Sequence, residues 1–165
     1  MTNLILDAIK FLYQGYSEKQ RKDATATHLR QAVLREISLN LEIIKEANNL
    51  QSTEPDKSKK LVENTELDAF KAVEALGIPI EIIFGGKTWS NDSAHAKQFQ
   101  KGKFKQYTEN IKMISDLIER TYHRLRIHQL RVKLGIEKRQ PSTEYLEALL
   151  LESKEAIRSM TPANK

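Results

Sequence analysis

Residues 24–49, ATATHLRQAVLREISLNLEIIKEANN, decide the fold class. Ala26, Leu29, Val33, Ile37, Asn40, Ile44 and Ala47 recur there at three- and four-residue steps, which places them on one face of a helix turning every 3.6 residues. Only Asn40 in that stripe is polar. A buried amide must find partners, so Asn40 is expected to sit where water reaches it or to fix helix register, and Asn40→Leu is expected to raise stability. Ala32, Leu39, Ile43 and Leu50 lie outside the stripe, making the helix apolar over more of its circumference than one bundle contact requires. That surplus suggests a homodimer through Leu39, Ile43 and Leu50, although another helix of the chain would serve equally well.

Working outward, residues 3–16 carry Leu4, Ile5, Ala8, Ile9, Leu12 and Tyr16 and read as a first helix. Residues 51–62, beginning QSTEPDKSKK, read as a polar connector or mobile loop. A third helix is expected from Thr65, capped by its hydroxyl with Asp68 reaching back, and ending at Gly77. The longest helix is expected over about residues 103–134, with Tyr107, Ile111, Ile114, Ile118, Tyr122, Leu125 and Val132 in its stripe and Gly135 as its stop; at 1.5 Å per residue it would be roughly 45 Å long. The last helix follows Pro141, with Leu146, Leu149, Leu150, Ile157 and Met160 inward. These elements describe an all-α, single-domain bundle of about five helices spanning residues 1–165.

Between the third and fourth helices stands IIFGGKTW, residues 82–89, which invites comparison with a phosphate-binding loop. Such a loop needs a glycine five positions before the Gly-Lys-Thr so that successive amides converge on the phosphates. Glu81 occupies that position, a carboxylate where a polyanion would have to lie. The plainer reading is that Pro79 opens a short helix or buried turn and Gly85-Gly86 ends it, with Phe84 and Trp89 packed on the bundle.

The 165-residue chain is 39% hydrophobic, enough to close a core, and no run of 18 apolar residues is present to span a membrane. It has no cysteine, hence no disulfide and no thiolate chemistry. Asp7 and Lys10 interrupt the amino-terminal apolar segment, unlike a secretory signal. A cytoplasmic protein without cofactor or metal is the expectation.

Charge is uneven. Residues 91–141 hold 12 Lys and Arg against 5 Asp and Glu, an excess larger than the +5 of the whole chain. A local excess of this kind suggests a surface that meets anions. On the long helix, Arg120, Arg124 and Arg131 fall on one flank of the apolar stripe with His128 nearer to it, and Arg126 and Lys133 fall on the other. These six residues are the candidate nucleic-acid or anion-binding set. The competing structural reading has them covering core edges and pairing with acids such as Glu36 or Glu147.

Catalytic motifs fit poorly. HEPN ribonucleases, all-helical and of similar size, carry an Arg followed after four to six residues by His; ahead of His123 and His128 the required positions hold Ile118 and Thr121, Tyr122 and His123, so neither of these histidines completes that motif. No Glu has a His three residues on, as a ferritin-like metal site would require. His123 and His128, five apart, diverge around a helix and do not share an ion. His28 and His95 stand alone. Two function classes follow: a non-enzymatic helical interaction module whose basic segment binds nucleic acid or an acidic protein, and, as the alternative, a helical hydrolase or nuclease-like enzyme assembled around His128 and Arg124.

Overall fold

The computed structural model describes residues 18–90, 108–136 and 143–160. The expected helix at 3–16 lies outside them. The described residues form an all-α bundle whose elements are α1 (Glu18–Leu50), α2 (Pro55–Glu63), α3 (Asp68–Leu76), α4 (Ile80–Phe84), α5 (Ile114–Lys133) and α6 (Glu144–Met160). None of these helices is long and apolar enough to cross a membrane.

Helix α1 is the spine. Its stripe residues Ala26, Leu29, Val33, Ile37, Asn40, Ile44 and Ala47 are all buried, as is Leu41, and it packs against α2, α3, α4 and α6. Of the apolar residues outside the stripe, Ala32 packs against the core, whereas Leu39 is exposed. At 33 residues α1 is also the longest described helix, in place of the one expected over 103–134. Residues 103–107 lie outside the description, but α5 itself begins only at Ile114. The reason is local: Met113 is extended (φ −117°, ψ 157°) and forms an antiparallel bridge with Thr88, held by Trp89 N–H to Lys112 C=O (2.9 Å) and Ile114 N–H to Lys87 C=O (3.1 Å). Asp116 then accepts the Met113 amide at 2.9 Å, which satisfies one of the free donors of a new helix start.

Residues 51–62 are mostly helix rather than a polar connector. Pro55 opens α2 at its first turn, where a missing N–H has no consequence. Exposed pairs Lys57–Glu54 and Lys59–Asp56 give it a solvated face. Its other face buries only Ser58 and Val62, four residues apart, with Leu61 packed part-buried beside them; the Ser58 hydroxyl donates to Ala47 C=O of α1 at 2.6 Å. So short an inward face, with a serine among its few residues, leaves almost no periodic signal in the sequence.

Pro79 caps α4, and Gly85 follows at φ 65°, ψ 169°, a conformation open essentially to glycine. Ile83 and Phe84 are fully buried and Trp89 packs against the core, so IIFGGKTW is a turn anchored on the bundle. Helices α5 and α6 meet through small hydroxyls, with Thr121 Oγ1 2.8 Å from Ser153 Oγ. Leu146, Leu149, Leu150 and Ile157 of α6 are buried as the periodicity required.

Candidate functional site

Helix α5 carries the basic residues, and it is apolar on two faces. Ile114, Leu117, Ile118, Thr121, Tyr122, Leu125 and His128 are buried on the inward face. On the outward face, His123, Ile127, Leu130 and Leu134 follow one another at steps of four, three and four residues, the spacing of a single helical strip. His123 is exposed and Ile127 half-buried, while Leu130 is 48% and Leu134 67% exposed. The basic residues that border the buried stripe therefore also border this outward strip, with Arg120, Arg124 and Arg131 along one edge and Arg126 and Lys133 along the other.

The end of α5 adds to the strip. Gly135 adopts φ 61°, and the chain closes with Gly135 N–H to Val132 C=O (3.1 Å) and Ile136 N–H to Arg131 C=O (3.2 Å). This is a Schellman termination, in which the residue after the glycine normally packs back on an apolar residue one turn earlier. Here that earlier residue is Arg131, and Ile136 stands 64% exposed beside the strip's end.

The six candidate side chains differ in setting. Arg126, Arg131 and Lys133 are exposed, and Arg120 and Arg124 half-buried. Arg124 lies over the Tyr145 ring of α6, 5.9 Å from its centroid, a cation–π arrangement that ties it to the bundle. Arg126 lies beside the Tyr122 hydroxyl; burial pushes that phenol above its ordinary value, Glu74 and Glu36 add to the rise, and Arg126 opposes it. His128 is buried and makes no hydrogen bond among the described residues; burial, then the nearby Arg131, push its pKa below the ordinary value, so the ring is neutral at pH 7.

The acids expected to neutralise these arginines are engaged elsewhere. Glu147 accepts a hydrogen bond from Asn48 of α1 at 2.7 Å. Glu36 accepts the Ala69 amide at 2.6 Å and the Phe70 amide at 3.4 Å, capping α3 from a distant helix. That is the task expected of Thr65, whose hydroxyl instead donates back to Val62 C=O at 2.9 Å. Burial raises the Glu36 carboxyl to about 7 against the lowering effect of those two amides, with Asp68 and Glu66 adding to the rise.

Asn40 is buried and fully occupied. Its Nδ2 donates to Glu66 C=O at 2.6 Å, and its Oδ1 accepts Glu66 N–H at 2.8 Å. Gln129 of α5 completes the clamp by donating to the carbonyls of Glu63 (2.9 Å) and Thr65 (2.8 Å). The α2–α3 turn is thus held by α1 on one side and α5 on the other, which also fixes the rotation of α5 and with it the direction of the outward strip. Glu36 borders the α1 stripe in sequence, three residues after Val33 and four before Asn40, so a charge at the edge of an apolar face was the available signal; nothing local marks Gln129.

Of the residues suggested for self-association, Leu39 is 44% exposed, whereas Ile43 and Leu50 are half-buried. No three His, Asp or Glu converge as metal ligands among the described residues. Comparison with protein-family models, curated proteins and solved structures finds no match to this chain.

Proposed function

We propose that this chain is a non-enzymatic interaction module whose α5 surface binds an anionic macromolecular partner. The observation that carries the reading is that Arg120, Arg126 and Lys133 make no ion pair with a carboxylate among the described residues, while Glu36 and Glu147 are committed to other partners. Cations left in solvent along one helix concentrate positive potential and attract a complementary surface. A hydrolase assembled around His128 and Arg124 draws less support: the imidazole is buried and, among the described residues, without a carboxylate to orient it, and Arg124 is drawn onto Tyr145.

The test is association with two polyanions, poly(U) and polyglutamate, followed by anisotropy from about 50 mM to about 300 mM salt, since phosphate contacts release counterions and weaken steeply with salt. The triple variant Arg120→Glu, Arg126→Glu, Lys133→Glu is expected to abolish binding with helicity unchanged, because none of the three is fully buried. A matching Lys57→Glu, Lys59→Glu, Lys60→Glu variant on α2 is expected to weaken it less. Equal loss in both variants would refer the binding to net charge alone and overturn the assignment to α5.

A further inference from the structure

The outward strip of α5 has the register of one half of a coiled coil. Ile127 and Leu134 take the a positions and His123 and Leu130 the d positions of a heptad pattern. The flanking e and g positions are then Arg124, Arg126, Arg131 and Lys133, basic without exception. Such positions set partner choice, because they meet the corresponding residues of the facing helix across the apolar seam.

Resting on the reading of α5 as an anion-binding surface, we infer that its partner is an amphipathic helix with an apolar seam and acidic flanks. Three observations choose this occupant. Leu130, Leu134 and Ile136 are exposed by 48%, 67% and 64%, and a contiguous apolar strip of this kind is what a packed partner covers, whereas phosphates need only the cations. The four flanking cations disfavour a second copy of the same face, since like charges would meet across the seam. The chain's own segment 1–17 holds a single acid, Asp7, against Lys10, so it lacks the acidic flanks required. From residue 123 to 134 the strip runs roughly 18 Å, about three turns of helix. That length suits a regulated contact rather than a permanent one.

The experiment uses the full chain and three probes: a peptide of about three heptads with Leu and Ile at a and d and Glu at e and g, the same peptide with Lys at e and g, and poly(U). The acidic peptide is expected to bind and to gain helicity on binding, and the basic peptide to fail. Leu130→Ser with Leu134→Ser is expected to weaken the acidic peptide by about tenfold or more, because two apolar contacts are lost, and to leave poly(U) unchanged. Circular dichroism of the free variant, expected to match the parent because both leucines are exposed, separates this effect from unfolding. If the acidic peptide binds no more tightly than polyglutamate and ignores the serine changes, the coiled-coil partner is overturned while anion binding by α5 stands. Binding of neither peptide nor polyanion at about 50 mM salt overturns both readings. Binding of acidic and basic peptides alike, or a homodimer that the serine variant dissociates, overturns the acidic occupant.

Discussion

Burying Glu36 sets the stability of this bundle against pH. The carboxyl is held at the amino end of α3, where two amides and the helix dipole favour its ionised form, yet desolvation outweighs them and its pKa rises from 4.5 to about 7. The unfolded chain releases this proton near pH 4.5, and the folded chain keeps it until about pH 7. Stability from this group is therefore fully present below pH 4.5 and is lost as pH rises through 7. At 1.36 kcal/mol per unit, the shift amounts to roughly 3 kcal/mol between those limits, an order-of-magnitude figure. Glu36→Gln keeps a neutral acceptor for Ala69 and removes the titration. Urea unfolding followed by circular dichroism at intervals from pH 4 to pH 8.5 checks this, read as the difference between variant and parent so that other groups cancel. The two proteins are expected to be similar at pH 4.5, with the variant gaining on the parent up to about pH 8, where its advantage approaches roughly 3 kcal/mol. A difference that is flat with pH, or one that favours the parent at high pH, would refute the argument that desolvation dominates at this site.

Two further outcomes follow from the same contacts. Asn40→Leu, expected from periodicity to stabilise, is instead expected to lower stability by about 1–3 kcal/mol, because it removes both hydrogen bonds that hold the part-buried N–H and C=O of Glu66; thermal unfolding decides the sign. Leu39→Lys is expected to leave both the sedimentation coefficient and the melting temperature unchanged, since this side chain is exposed; dissociation of a dimer by this change would support self-association through this face.

Helical structure was legible in the sequence because 3.6-residue periodicity is a local property. The stops at Gly77 and Gly135 were legible for the same reason, both lying at φ near 60° where a side chain is strained. The basic flanks of α5 were legible too, since rotation about a helix needs only residue numbers. Local reading failed where the deciding partner is far along the chain: Asn40 meets Glu66 26 residues away, Glu36 meets Ala69 33 away, and Gln129 meets Glu63 66 away. Helix α2 was missed because its fully buried face is one serine and one valine, stabilised by a carbonyl of α1 rather than by its own pattern. The two apolar strips of α5 show the division between the levels most directly. Both are written in the sequence at helical spacing, but which of them is buried depends on how α2, α4 and α6 close around the helix, and only the tertiary packing leaves Leu130 and Leu134 facing water.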